Sequence, residues 1–118
     1  MIHTSKDYRL DIRTEMRGGS GDVKIEHLFE PGSELNSPFA RMISRITLAS
    51  GCSIGFHRHD GEEEVFHIIS GSAEADENGT VVTLNPGDSI LTGNGAGHGI
   101  KNAGSADLVM LAVIIKYN

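Results

Sequence analysis

Apolar and polar residues alternate with a period of two along most of this chain, and helical periodicity is scarce. Val23-Lys-Ile-Glu-His-Leu shows the alternation clearly, and residues 40–48 carry it over a longer run. Such alternation marks a strand with one buried face. Further strands are predicted near 53–58, 64–70, 72–76, 80–84, 89–92, 97–102 and 107–116. The last contains Leu108-Val-Met-Leu-Ala-Val-Ile-Ile115, which reads as a buried strand and is too short to span a bilayer as a helix. Turn signals punctuate the strands. Asn78-Gly79 predicts a hairpin. Asp60-Gly61 predicts a turn, Arg17-Gly-Gly-Ser-Gly21 a flexible loop or tight turn, and residues 30–38 a polar loop. Residues 4–9 predict one helical turn capped by Thr4 or Ser5. Many short strands with Gly and Pro punctuation predict an all-β sandwich or barrel. No heptad, tandem repeat or low-complexity tract interrupts the pattern.

Three histidines and one glutamate change the picture. His57 and His59 are two apart in a strand-like run, so both imidazoles face one space. After the Asp60-Gly61 turn the chain resumes as Glu64-Val-Phe-His-Ile-Ile, and a glutamate at the start of a returning strand can lie beside the two histidines. His98 follows Gly93-Asn-Gly-Ala-Gly97, which allows a sharp turn and a close approach. Three imidazoles and a carboxylate suit a divalent transition metal, with manganese, iron, cobalt, nickel, copper and zinc all compatible; manganese is the expectation. Glu64 is favoured over its neighbours Glu62 and Glu63, which read as solvated turn residues, with Glu62 a candidate for the rim of the site. His67 falls on the strand face opposite Glu64 and reads as a packing or interface residue. His3 and His27 have no partner motif and are expected on the surface.

These two blocks resemble the two signature motifs of the cupin superfamily. The first, G-x5-H-x-H-x4-E-x6-G, is met at Gly51, His57, His59, Glu64 and Gly71; the second is met at Gly87, Gly95, His98 and Asn102. Gly93 stands where the family usually has proline, which predicts a more flexible loop before His98 and removes no ligand. The resemblance spans residues 51–102. It implies a double-stranded β-helix, or jelly-roll barrel, with the metal inside. The chain is similar to the short single-domain prokaryotic cupins, some of which carry an oxalate-decarboxylase-like label.

Composition sets bounds on partners. A chain of 118 residues predicts one domain, with N-terminal strands and a loop over 1–39 and the barrel core over 40–116. The net charge of −6 argues against nucleic-acid binding. One cysteine, Cys52, excludes an intrachain disulfide and reads as a small packed residue. The polar N-terminus carries no signal pattern, so a soluble, cytoplasmic protein without membrane contact is expected. Exposed sheet edges and apolar faces, together with the resemblance, predict a homodimer.

Alternation also predicts the pocket wall. Phe66 and Ile68 share the face of Glu64, and Ile100 and Asn102 that of His98, although Asn102 reads better as a structural residue holding the backbone. Arg41 and Arg45 share one strand face, where one of them can reach a substrate carboxylate at the mouth or both can be solvated or salt-bridged. No lysine or arginine cluster adjoins either motif. The expected function is a metal-dependent enzyme acting on a small carboxylate-bearing or oxygen-rich anion chelated to the metal, of decarboxylase or dioxygenase type. A sugar or sugar-phosphate isomerase and a non-catalytic small-ligand or metal-binding module are the alternatives.

Overall fold

The longest apolar run forms the centre of the structure. In the computed structural model, which describes residues 1–30 and 38–117, Leu108–Lys116 is a strand flanked on both sides by other strands. Ten strands occur in chain order: β1 (Arg9–Thr14), β2 (Asp22–Phe29), β3 (Ala40–Leu48), β4 (Ser53–Arg58), β5 (Glu62–Ser70), β6 (Ala73–Glu77), β7 (Thr80–Leu84), β8 (Ser89–Gly93), β9 (Gly97–Asn102) and β10 (Leu108–Lys116). They make a six-stranded sheet, β1-β2-β3-β10-β5-β8, and a four-stranded sheet, β4-β9-β6-β7. All pairings are antiparallel. The arrangement is the double-stranded β-helix that the motifs imply.

Alternation places the core. Val23 and Ile25, Ile46 and Leu48, Phe66 and Ile68, and Met110 and Ala112 point inward from the six-stranded sheet, and Ile54, Ala73, Ala75 and Ile100 meet them from the other. Asn78-Gly79 makes the predicted hairpin, with Asn78 at φ 49° and Gly79 at φ 96°. Cys52 packs partly buried against the core. Among the described residues no helix is long and apolar enough to cross a membrane.

The N-terminus departs from expectation. Residues 5–7 form a single turn, and the Asp7 carboxylate accepts from the Thr4 backbone N–H and hydroxyl, so Asp7 rather than Thr4 or Ser5 is the capping acceptor. The chain then enters β1, which sequence reading does not predict. The polarity of β1 is inverted: Leu10 and Ile12 are exposed, while Asp11 faces His27 on β2. Most of the predicted loop at 30–38 lies outside the described residues.

Between β1 and β2 the chain makes a short strap, with a 3-10 turn at Met16–Gly18. It packs on β4 at a point of no slack. A Cβ on Gly55 would lie 2.0 Å from the Arg17 carbonyl oxygen, and one on Gly19 would lie 2.2 Å from that of Ser53. The Ser20 N–H donates to Ser53 Oγ and the Ser53 N–H to the Ser20 carbonyl, both at 2.8 Å. Glycine is therefore required at 55 by close backbone approach. Gly55→Ala is expected to destabilise the fold by about 2 kcal/mol or more, measured by urea denaturation; stability equal to the parent would contradict the tight contact.

Candidate metal centre

The register of β4 against β9 contains one extra residue. Ile54 pairs with Ile100, but the next pair is His57 with His98, so Gly55 and Phe56 together face Gly99. This is a β-bulge. Without it, Ile54 inward would put Phe56 inward and His57 outward. With it, Phe56 is exposed and His57 and His59 turn into the protein. The displaced Phe56 ring lies against Gly97, where a Cβ would meet it at 2.4 Å.

Two other strands complete the cluster. β5 carries Glu64, buried beside Thr92 of β8 and Ile114 of β10. β9 carries His98, whose ring stacks on Phe66 at 4.7 Å and 7°. The loop before His98 is held by hydrogen bonds: the Gly95 N–H donates to the His59 carbonyl at 2.9 Å and the His59 N–H to that of Ala96 at 3.0 Å. Gly93 pairs with Glu63, where a Cβ would lie 2.8 Å from the Glu63 Cα. Glycine stands here at a close contact.

The four expected ligand residues converge. Glu64 Oε1 lies 3.0 Å from His59 Nε2, 3.0 Å from His98 Nε2 and 4.0 Å from His57 Nε2. His98 Nε2 lies 3.1 Å from His59 Nε2 and 3.2 Å from His57 Nε2. With metal–nitrogen bonds of about 2.1 Å, donors at right angles stand about 3 Å apart and opposed donors about 4 Å apart. The spacing therefore fits one divalent ion, and these residues form a group able to hold a metal.

Second partners set the tautomers. His57 Nδ1 donates to the Gly55 carbonyl at 2.8 Å, which leaves the Nε2 lone pair for the cluster. His59 Nδ1 lies 2.6 Å from Glu62 Oε2. Arg41 holds that same carboxylate in a fork, at 2.8 and 2.9 Å. His98 Nδ1 is buried with no hydrogen-bond partner among the described residues, and stacking on Phe66 orients its ring instead.

The electrostatics follow from burial and these bonds. Hydrogen bonding to Glu64 raises the His59 pKa against the cost of burial, and Glu62 adds to the rise. Burial lowers that of His57, against its bond to Gly55. Burial works against ionised Glu64, but hydrogen bonds from His59 and His98 hold its carboxyl below the ordinary carboxylate value. Glu62 is likewise lowered: burial opposes its charge, while Arg41 and His59 favour it.

His57, His59 and Glu64 line a cavity of about 140 Å³. Its apolar wall includes Met16, Ile25, Met42, Ile46, Ile54, Phe66 and Ile114; Arg13, Arg17, Arg41 and His27 also line it. Of the expected wall residues, Phe66 lines it. Ile68, Ile100 and Asn102 are buried elsewhere in the core. Asn102 braces the backbone, donating to the Leu48 and Ala106 carbonyls and accepting from the Gly104 N–H. Arg45 is not a wall residue: it forks onto Glu26 at 3.1 and 2.9 Å and lies over the Tyr8 ring, because it sits on the outer face of β3. Glu62 supports His59 and is held by Arg41.

His27 is not a free surface residue, since it lines the cavity and lies 3.5 Å from Asp11. His3 is half-buried, stacked on Phe29 and bonded to the Leu28 carbonyl. His67 bonds to Ser89 Oγ. Arg13, Met16 and Arg17 were not predicted as site residues. They come from β1 and the strap, far in sequence from both motifs, and no local pattern signals them.

A three-histidine, one-glutamate cluster between the two sheets of a jelly roll defines a double-stranded β-helix protein with a group able to hold a metal. Residues 44–114 match the cupin domain, and the chain belongs to the cupin family. It is 37% identical over 115 residues to an oxalate-binding protein of Thermotoga maritima, covering 98% of this chain and 93% of that one. The crystal structure of a predicted oxalate decarboxylase from Thermotoga maritima superposes with a TM-score of 0.90 at 37% identity, over 98% of this chain and 99% of that one. An RmlC-like cupin from Shewanella frigidimarina shares the fold at 16% identity, with a TM-score of 0.75 over 97% of this chain and 88% of that one.

The raised His59 pKa has a definite sign. Metal-free protein takes up a proton at His59 above the ordinary value of 6.5, and a metal must displace it. Affinity for a divalent ion is therefore expected to fall with falling pH, beginning above 6.5. Metal-free protein shows the reverse contribution from His59: the stability it adds is complete below the unfolded value and is lost as pH rises through the raised folded value. Calorimetric metal titrations and denaturation of metal-free protein from about pH 5.5 to pH 8 test both; metal affinity that is flat across this window would contradict the assignment.

Proposed function

We propose that the protein holds one divalent transition-metal ion, manganese first among the candidates, on His57, His59, Glu64 and His98, and uses it to bind a small dicarboxylate of the oxalate kind. The observation that carries this reading is the cavity itself, in which three of the ligand residues share one wall with three arginines. A bound divalent ion supplies Lewis-acid attraction for ligand oxygens. The protein's own residues do the rest. Glu62 and Arg41 fix His59, Gly55 fixes His57, and the apolar wall excludes water and strengthens charge–charge attraction.

Size narrows the ligand class. At about 30 Å³ per water, 140 Å³ holds only a few water-sized groups. Oxalate and similar short acids fit beside the cluster, where the lining carries carboxylate-binding arginines. The 37% identity to an oxalate-binding protein supports the same class. Turnover of the ligand is a second reading with one supporting observation: His27 is the lining titratable group outside the ligand set and the arginines, and so is placed to hold a proton.

Oxalate is expected to bind manganese-loaded protein measurably by calorimetry and to lose at least about tenfold in affinity after metal stripping or in a His57→Ala/His98→Ala variant. Equal binding with and without metal, or none to any loaded form, would remove this reading. Formate or carbon dioxide released from bound oxalate would favour turnover.

The same reading includes a homodimer. Leu10, Ile12, Ile69, Leu91 and Ile115 are exposed on the six-stranded sheet, a spread of large apolar side chains that a second copy would cover. Sedimentation should give twice the chain mass of 12.6 kDa, and Ile12→Glu/Leu91→Glu should shift it to the single-chain mass. A monomeric parent protein would refute the dimer.

A further inference from the structure

We infer that Arg17 is the residue that recognises the anionic ligand's carboxylate oxygens. This rests on the reading of the cavity as a metal-dependent carboxylate site and assigns a specificity-determining group within it.

Partner accounting singles Arg17 out. The chain has six arginines. Arg9 pairs with Glu30, Arg13 with Asp11, Arg41 with Glu62 and Arg45 with Glu26, and Arg58 donates to the Gly95 carbonyl. Arg17 alone has no hydrogen bond or ion pair from its side chain to any described residue. It nonetheless lines the same cavity as His57, His59 and Glu64. A guanidinium presents five donors in a planar fork suited to a carboxylate, and the other two lining arginines already spend theirs on Asp11 and Glu62.

The backbone gives a second, independent observation. Arg17 sits at φ 56°, ψ 29°, the left-handed region that disfavours a residue with a Cβ. Nothing local relieves this, because the strap is pinned through Gly19 and Gly55 to β4. Glycine would satisfy the backbone without strain, and glycines are abundant in this strap, at 18, 19 and 21. Glu15 shares the left-handed conformation, at φ 52°, but does not line the cavity; Arg17 combines the strained backbone with an unpaired guanidinium at the cavity wall. The bulge that turns His57 inward and the contact that fixes Arg17 share one residue, Gly55, so the metal ligand and the anion-binding group are positioned together.

The test uses manganese-loaded full-length protein with oxalate as the anionic probe and imidazole as a neutral, metal-directed probe. Arg17→Met is expected to bind metal as the parent does, to bind imidazole unchanged, and to lose about tenfold to a hundredfold in oxalate affinity. Arg17→Gly guards against a purely structural effect. It should raise the thermal midpoint by relieving the left-handed strain while losing oxalate affinity as Arg17→Met does. Oxalate affinity within about twofold of the parent in Arg17→Met, or equal losses for oxalate and imidazole, would overturn the assignment of Arg17. A parent protein that binds imidazole but no oxalate would overturn the carboxylate reading and this assignment with it.

Discussion

The extra residue in β4 is the constraint on which the rest of the site depends. A strand with unbroken alternation from Ile54 would bury Phe56 and expose His57. The bulge reverses the phase over one residue and sends two imidazoles into a core otherwise built of Ile, Val, Leu, Phe and Met. Burying imidazoles and a carboxylate is costly unless their polar atoms are paired. The protein meets that cost unevenly. His57 and His59 are bonded at Nδ1, Glu64 is bonded by two histidines, and His98 Nδ1 is left without a partner. The Nε2 atoms and Glu64 Oε1 face one another at 3.0–4.0 Å, an arrangement that a shared cation satisfies better than protons can.

Charge is arranged to leave the cavity receptive to anions although the chain as a whole is acidic. Glu62 is cancelled by Arg41, and Asp11 by Arg13. Glu64 offsets only half the charge of a divalent ion. Arg17 then adds a cation that nothing else neutralises among the described residues. A low-dielectric wall makes this local excess count for more than the net charge of the surface.

The sequence was legible where chemistry and local pattern coincide. The two-residue spacing of His57 and His59 does place both on one face, and the turn at Asp60-Gly61 does return Glu64 beside them. Which face they share was not legible from alternation alone, because Gly55 looks like any strand glycine until the strap packs on it. β1 escaped for a related reason: its apolar residues, Leu10 and Ile12, are exposed and none of its residues is buried, so the usual reading of a half-buried strand has no core to attach to. Arg45 looked equivalent to Arg41, four residues away on one strand. The difference lies across the sheet, where Glu26 is the register partner of Arg45 and Glu62 lies within reach of Arg41. Arg17 was invisible as a site residue because only the tertiary approach of the strap brings it to the cavity.

A division of labour follows from where the lining residues fall in the chain. The stretch that matches the cupin domain, 44–114, contains all four candidate metal ligands. The three arginines on the cavity, Arg13, Arg17 and Arg41, and the lining His27 all precede residue 44. On the proposed function, the shared domain supplies the metal frame, and the strands and strap before it supply the charge that meets a ligand. One frame can then serve unrelated chemistries when the preceding segment changes. On the proposed function, ligand choice is accordingly a property of β1, the strap and the start of β3 more than of the motifs that identify the family.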